Sequence, residues 1–148
     1  LGNICRSPLA EALLRRELAA AGVPAVVDSA GTGAWHVGEA ADPRSREVAA
    51  RHGVTLDGRA RQLDAADYYE HDVILAMDAS NLQGARRLSP PNAEAHLRLM
   101  RDFDPLAPGA DVPDPYYGGA DGFTQMYEML ERSAREFARR AAAGALGR

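Results

Sequence analysis

The chain opens with Leu-Gly-Asn-Ile-Cys-Arg-Ser-Pro, a run whose residue types suit the binding of a phosphate group. A tight loop that leads into a helix turns backbone N–H groups inward and forms a nest for an anion, and the N-terminal end of the helix adds partial positive charge. Arg6 adds a planar guanidinium that matches two phosphate oxygens. Asn3 and Ser7 offer hydrogen bonds that brace the loop. We therefore predict that residues 1–7 form a phosphate cradle.

The predicted phosphate-binding residues of this run are Leu1, Gly2, Asn3, Ile4, Cys5, Arg6 and Ser7. The run is not a nucleotide-binding loop, because the chain has no Gly-x-x-x-x-Gly-Lys-Ser/Thr pattern. The same residues also fit a plainer alternative, in which Arg6 is a surface arginine and Ser7 an ordinary helix cap. Composition and spacing leave both interpretations open.

The single cysteine, Cys5, limits the other chemistry that the chain could carry. It excludes an internal disulfide and a cysteine-based zinc site. The four histidines are scattered, with no pair spaced four residues apart, so no metal site and no cofactor are predicted. This cysteine usage favours a reducing cytoplasm, although secretion stays open.

Composition favours one globular domain over residues 1–148, with 46% hydrophobic and 26% charged residues. The net charge of −4 disfavours a nucleic-acid partner. No apolar run is long enough to span a bilayer, so no membrane partner is predicted either.

Helical periodicity and capping residues predict a helix over residues 8–21, directly after the opening run. Ser7 suits the cap, Pro8 the first helical position and Gly22 the end. The run Pro-Ala-Val-Val-Asp-Ser-Ala-Gly-Thr-Gly at 24–33 then predicts a strand that leads into a glycine-rich loop.

The rest of the chain continues this alternation of helices and strands. Asp42 and Pro43 are suited to open a second helix, which ends at Gly53. The remaining predicted elements are a strand over 72–78, a helix over 79–88, a strand over 95–100, a long loop over 102–122 and a final helix from Asp121.

This alternation predicts an α/β fold, with a parallel sheet and helices on both faces. In such a fold a strand leads into the loop that precedes the first helix, and we expect that strand to lie before Leu1. We expect Leu1–Arg148 without this strand to be unstable or prone to aggregate, because the sheet would lack a central member.

Several runs of the chain resemble the low-molecular-weight protein tyrosine phosphatases. They are LGNICRSPLAE, DSAGTGAWHVGEAADPR, ARQL, VILAMDASNL and VPDPYYGG, which cover essentially the whole chain in the family's order. The resemblance implies a phosphotyrosine phosphatase I-like fold. It also implies hydrolysis of tyrosine-phosphorylated proteins or small aryl phosphates through a phosphocysteine intermediate.

The family's loop is a cysteine, five residues and an arginine, which places the nucleophile immediately before Leu1. Cys5 corresponds to the family's second cysteine, which is not placed to attack phosphorus. We therefore expect Leu1–Arg148 alone to be inactive, and a catalytically inactive phosphotyrosine-binding module is the alternative. Arsenate reductases share the loop but need further downstream cysteines, and none follows Cys5.

The resemblance also assigns roles to individual residues. Arg6 binds the phosphoryl group, and Asp114, which lies between two prolines that restrict its backbone, is the general acid. Trp35 and Tyr116 are walls of the substrate cleft, although each could instead pack against the core. Asp78 is predicted chiefly as a helix cap, with a supporting role near the phosphate loop left open.

Three other aspartates, Asp102, Asp104 and Asp111, lie in the same long loop as Asp114. Aspartate commonly serves turns, because its carboxylate bonds nearby backbone N–H groups. We predict turn formation and loop solubility for these three rather than catalysis.

Overall fold

A computed structural model of the chain describes residues 5–33, 36–115 and 120–145. Its helices are α1 (Arg6–Ala20), α2 (Pro43–Ala50), α3 (Asp67–Glu70), α4 (Ala79–Leu88) and α5 (Ala120–Ala142), and its strands are β1 (Val73–Ala76) and β2 (His96–Leu99). The α/β class with parallel strands is confirmed, and the short helix α3 was not predicted.

Helix α1 begins two residues earlier than predicted, at Arg6, with Cys5 rather than Ser7 at the cap position. Pro8 therefore lies inside the first turn, where it is tolerated because the first N–H groups of a helix have no intrahelical partner. The predicted end is confirmed. Gly22 takes a φ of 73°, and the N–H of Val23 bonds the carbonyl of Leu18 at 2.9 Å, which closes the last turn.

Helix α2 opens as predicted. The carboxylate of Asp42 accepts a hydrogen bond from the N–H of Arg44 at 2.8 Å, and Pro43 occupies the first turn. The helix stops at Ala50, before the turn that contains Gly53, which takes a φ of 74°. The first turn of α2 lies beside the start of α1. The hydroxyl of buried Ser45 donates a hydrogen bond to the carbonyl of Cys5 at 3.2 Å.

The strands β1 and β2 pair in parallel, with Val73 opposite His96 and Ala76 opposite Leu99. Helix α4 is the crossover between them, which parallel pairing requires. The predicted strands at 72–78 and 95–100 and the predicted helix at 79–88 are confirmed. A 3₁₀ helix at Met100–Phe103 follows β2.

The strand predicted in the first part of residues 24–33, ahead of the glycine-rich loop, is wrong. This segment forms no strand, and the one pairing in it is an isolated bridge between Gly31 and Gln62. A β-rich run becomes a strand only when a neighbouring backbone pairs with it, and Val26 is 87% exposed. A groove of about 1180 Å³ is lined by residues 23–32 together with β1 and one face of α1.

The hydrophobic core lies between α1 and α5. Helix α5 is predicted from an apolar stripe that begins at Phe123. The buried members of this stripe are Phe123, Tyr127, Leu130, Ala134 and Phe137, and Met126 beside it is also buried. They pack with Leu9 and Leu13 of α1. In residues 5–33, 36–115 and 120–145, no helix is both long and apolar enough to cross a bilayer.

Candidate active site

Arg6, the first residue of α1, is a buried arginine whose orientation is fixed by two distant parts of the chain. Its Nη1 donates to Oδ2 of Asp78 at 2.7 Å and to the carbonyl of Val112 at 2.7 Å. Its Nη2 lies 3.4 Å from Oδ1 of Asn81. The side chain is only 6% exposed, so this arginine is not the surface residue of the plainer interpretation.

Asp78, the second of the two residues between β1 and α4, has two contacts, one for each carboxylate oxygen. Oδ1 accepts from the N–H of Asn81 at 2.7 Å and caps α4, as predicted. Oδ2 pairs with Arg6. Burial opposes ionisation of this carboxyl, but the hydrogen bonds from Arg6 and the Asn81 N–H outweigh it and hold the pKa of Asp78 below its ordinary value.

The sequence left a supporting role of Asp78 near the phosphate loop open, and the structure shows Asp78 paired with Arg6. The one available signal in the sequence was the position of Asp78 at the end of an apolar run predicted to be a strand. In a parallel sheet the carboxyl ends of the strands are where ligand-binding groups gather.

The loop that carries Asp114 docks directly on Arg6. Buried Val112 donates its N–H to the carbonyl of Met77 at 2.8 Å and accepts from Arg6 through its own carbonyl. Asp114 follows two residues later and is exposed, whereas Pro115 is buried. Asp114, Arg6 and Ser7 line the same groove. The structure thus brings the predicted general acid and the predicted phosphate-binding arginine to one place.

Cys5 has the wrong environment for a nucleophile. It is 6% exposed, and burial together with the carboxylates of Asp42 and Asp114 raises its pKa to about 11. A thiol reacts as its thiolate. Cys5 therefore stays a neutral thiol near pH 7, without nucleophilic character.

The predicted site residues Leu1, Gly2, Asn3, Ile4, Trp35 and Tyr116 lie outside the described residues, so their roles stay predictions. Cys5, Arg6, Ser7 and Asp114 are described and all line the groove. In the part of the chain that the structure describes, no group of three histidine, cysteine, aspartate or glutamate side chains could hold a metal ion.

The other aspartates of the long loop bond protein groups rather than facing the groove. Asp102 accepts from the N–H of Leu99 at 2.9 Å. Asp104 is fully buried and pairs with Arg101 and Arg132. Asp111 has a less local contact, since its Oδ1 accepts from the N–H of Ala79 at the start of α4 at 2.9 Å.

Comparison with known proteins adds to this geometry. The family model for low molecular weight phosphotyrosine protein phosphatase matches residues 1–145. The chain is 49% identical to a low molecular weight protein-tyrosine-phosphatase of Streptomyces coelicolor, over 90% of this chain and 84% of that protein. It is 44% identical to a low molecular weight phosphotyrosine protein phosphatase of Schizosaccharomyces pombe, over 93% of this chain and 90% of that protein.

Solved structures show the same relationship. A crystal structure of a protein tyrosine phosphatase from Entamoeba histolytica is similar to this chain with a TM-score of 0.93 and 34% identity, over 99% of this chain and 95% of that one. The structure of YfkJ from Bacillus subtilis matches with a TM-score of 0.86 and 34% identity, over 97% and 91% of the two chains.

Proposed function

Since the chain belongs to the low molecular weight phosphotyrosine protein phosphatase family, we propose that the full-length protein hydrolyses phosphotyrosine in proteins and small aryl phosphates. By full-length protein we mean Leu1–Arg148 together with the segment that precedes it. The observation that carries the proposal is the position of Arg6. Its guanidinium is held at the start of α1 by Asp78 and by the loop that bears Asp114.

The first half of the proposed reaction transfers the phosphoryl group to a cysteine immediately before Leu1. Its thiolate attacks phosphorus, the S–P bond forms, and the bond from phosphorus to the phenolic oxygen breaks. Asp114 donates a proton to that oxygen, so the leaving group departs as a neutral phenol. Arg6 and the backbone N–H groups of residues 1–7 bind the equatorial oxygens most tightly when the phosphoryl group is planar, which lowers the barrier.

The second half releases phosphate. The carboxylate of Asp114 takes a proton from water as the water oxygen attacks phosphorus, the S–P bond breaks, and the thiolate is regenerated. Phosphate leaves, and Asp114 now carries the proton that it donates in the next turnover. No metal or cofactor takes part in either half of this scheme.

The environment of Cys5 supports the placement of the nucleophile before Leu1. A thiol with a pKa of about 11 is protonated at neutral pH, so Cys5 does not supply the thiolate. If Leu1–Arg148 folds without the preceding strand, we expect it to bind phosphate without turnover, as a phosphotyrosine-binding module would.

We also propose that the segment before Leu1 is a strand that lies in the groove beside β1. The groove is lined by β1 and residues 23–32 and extends to Cys5 and Arg6, where such a strand would deliver its last residue. The intact mass of the protein purified from its source tests this. A mass that matches Leu1–Arg148 alone would refute both the strand and the nucleophile.

Trp35 and Tyr116 are proposed as the aromatic walls that hold the phenol ring of the substrate. Aromatic side chains stack on such rings at modest energetic gain. They would favour phosphotyrosine over phosphoserine, because only the phosphotyrosine side chain carries an aromatic ring that such walls can contact.

The decisive test is hydrolysis by the full-length protein of one peptide prepared with phosphotyrosine or with phosphoserine. We expect release of phosphate from the first and not from the second, and a phosphorylated protein species trapped by rapid acid quench. Equal rates on both peptides would refute the substrate class. Turnover without a trapped phosphoprotein, in a variant that lacks the cysteine before Leu1, would refute the mechanism.

A further inference from the structure

The segment just before Asp114 is attached to the rest of the protein by four hydrogen bonds, all of them at Asp111 and Val112. Arg101 donates from Nη1 to the carbonyl of Asp111 at 2.7 Å, and the N–H of Ala79 donates to the Asp111 carboxylate at 2.9 Å. The next residue, Val112, bonds Met77 through its N–H and Arg6 through its carbonyl. Only one of these four contacts uses a side chain of the loop, and it is the carboxylate of Asp111.

The partner of Asp111 is well suited to hold it. Ala79 opens α4 directly after Asp78, and its N–H is one of the first-turn donors that no helix carbonyl can satisfy. The N-terminal end of a helix also favours a negative charge. Asp78 caps the same turn at Asn81, so two carboxylates share this end of the helix. The carboxylate of Asp78 pairs with Arg6, and the carboxylate of Asp111 attaches the loop to the helix.

We infer that Asp111 is a positioning residue for the general acid Asp114, an inference that rests on the proposed function of that residue. Only Val112, which is buried, and Pro113, which is exposed, separate the two aspartates. Three residues of extended chain cover about 10 Å, and proline limits the backbone between them. The hydrogen bond from Ala79 to Asp111 therefore fixes the direction in which the loop runs away from the start of α4. This direction sets the position of the Asp114 carboxyl group.

Loss of this bond is expected to leave the rest of the site intact. The backbone contacts of Val112 and the pairing of Arg6 with Asp78 do not involve the Asp111 side chain. Phosphate binding should therefore persist while proton donation weakens. Small displacements of a catalytic group cost much of its effect.

The experiment compares kcat/KM of the full-length protein for phenyl phosphate and for 4-nitrophenyl phosphate. The two substrates differ in how much their leaving group needs a proton, because 4-nitrophenol is much the stronger acid. We expect Asp111→Ala to lower kcat/KM for phenyl phosphate about tenfold more than for 4-nitrophenyl phosphate, a fraction of the 10²–10⁴-fold effect of a general acid. The inhibition constant of inorganic phosphate should stay within about twofold, since the groups that bind phosphate are not touched.

Two further variants separate positioning from other effects. Asp111→Asn keeps an oxygen that accepts from Ala79, so it is expected to restore the wild-type ratio of the two substrates. In a protein that already carries Asp114→Ala, the Asp111→Ala change should have no further effect on that ratio, since coupled residues are not additive. Asp64→Ala is the matched control. It removes a carboxylate contact of the same kind, to the N–H of Ala66 at 3.0 Å, from a turn outside the site.

The inference is overturned if Asp111→Ala slows both substrates equally, if Asp111→Asn behaves like Asp111→Ala, or if the effects of Asp111→Ala and Asp114→Ala simply add. Near-ultraviolet circular dichroism of each variant shows whether the fold is kept. Absence of activity in the wild-type full-length protein would refute the proposed function instead, so the two failures are distinguishable.

Discussion

Nη1 of Arg6 lies 2.7 Å from the carboxylate of Asp78, 72 residues further along the chain. The same nitrogen donates to the carbonyl of Val112 at 2.7 Å. The arginine that we propose to bind phosphate is thus joined both to the end of β1 and to the loop that carries Asp114, the proposed general acid. A buried guanidinium that is paired with a carboxylate has little freedom to rotate, so the guanidinium of Arg6 is oriented before any ligand binds.

Asp78→Asn should weaken phosphate binding more than it weakens the fold. The amide oxygen of asparagine still accepts from the Asn81 N–H and still caps α4, but the charge that orients Arg6 is lost. We expect the inhibition constant of inorganic phosphate to rise roughly tenfold, or about 1.4 kcal/mol, near the low end for a hydrogen bond to a charged group. Competition against 4-nitrophenyl phosphate measures it, and an unchanged constant would remove Asp78 from the site.

Arg6→Lys should impair both halves of the reaction. A lysine keeps the charge but has one ammonium group, which cannot contact two phosphate oxygens and also bond Asp78 and Val112. We expect kcat/KM for aryl phosphates to fall by at least about 10²-fold, as when a preorganised transition-state donor is removed. Arg51→Lys, at an exposed pair with Glu47, is the control and should be indistinguishable from wild type. Near-wild-type kinetics of Arg6→Lys would contradict the phosphate cradle.

The parts of the structure that sequence predicts well are those decided locally. Asp42 followed by Pro43 marks the start of α2, and Gly22 marks the end of α1, because caps and positive φ angles depend on a few adjacent residues. The strand over 24–33 fails for the opposite reason, since strand formation depends on a partner that local composition does not reveal.

In the candidate site too, local sequence patterns identify individual residues but not the long-range contacts that hold them. The opening run predicts Arg6 as an anion ligand, and proline neighbours single out Asp114, but neither pattern shows what holds these side chains. The contact of Arg6 with Asp78 spans 72 residues, and that of Asp111 with Ala79 spans 32. Such pairings arise from the packing of β1, α4 and the long loop, and one sequence carries no direct record of them.

Cys5 should be slow to react with alkylating reagents in the native protein. Its pKa, raised by burial and by nearby carboxylates to about 11, leaves very little thiolate at pH 8. Mass spectrometry of the peptide that contains Cys5, the one cysteine of Leu1–Arg148, measures its labelling by iodoacetamide in the full-length protein. We expect labelling in urea to be faster by about two orders of magnitude, as the shift of about two pKa units implies. Equal rates would show that the thiol is not buried.

The raised pKa of Cys5 also predicts how stability changes in alkali. The folded state keeps the proton of this thiol between its ordinary value of 9.0 and about 11, whereas the unfolded state releases it. The unfolded state then binds fewer protons, so stability falls as the pH rises through this window. Urea unfolding from pH 8 to pH 11 measures it, and Cys5→Ser should show a flatter profile.

Asp104 should make the fold sensitive to acid. It is fully buried, and although burial opposes its charge, hydrogen bonds from Arg132, the Leu106 N–H and Arg101 hold its pKa below the ordinary 3.8. As the pH falls, the unfolded state takes up a proton at this carboxyl before the folded state does. The stabilisation that ionised Asp104 contributes is therefore complete above about pH 4, and it is lost as the pH falls through the pKa of Asp104 in the folded state. Urea unfolding between pH 2 and pH 7 follows the loss.

Asp104→Asn tests the same cluster at neutral pH. It leaves Arg101 and Arg132 without their carboxylate, which costs about 3–5 kcal/mol when one partner of a buried ion pair is removed. Glu47→Gln, which breaks an exposed pair with Arg51, is the control and should change the free energy of unfolding by no more than about 1 kcal/mol. A cost for Asp104→Asn as small as that of the control would contradict the structural role of the cluster.

Asp114→Asn should separate proton transfer from phosphate binding in the full-length protein. Asparagine has similar size but cannot donate an acidic proton, so kcat/KM for phenyl phosphate should fall by about 10²–10⁴-fold, the usual contribution of a general acid. The loss should be much smaller for 4-nitrophenyl phosphate, whose phenolate leaves more readily. Phosphate inhibition should be nearly unchanged, because Arg6 keeps its contacts with Asp78 and Val112. If both substrates lose activity equally, Asp114 does not protonate the leaving group, and the acid must be sought elsewhere along the groove.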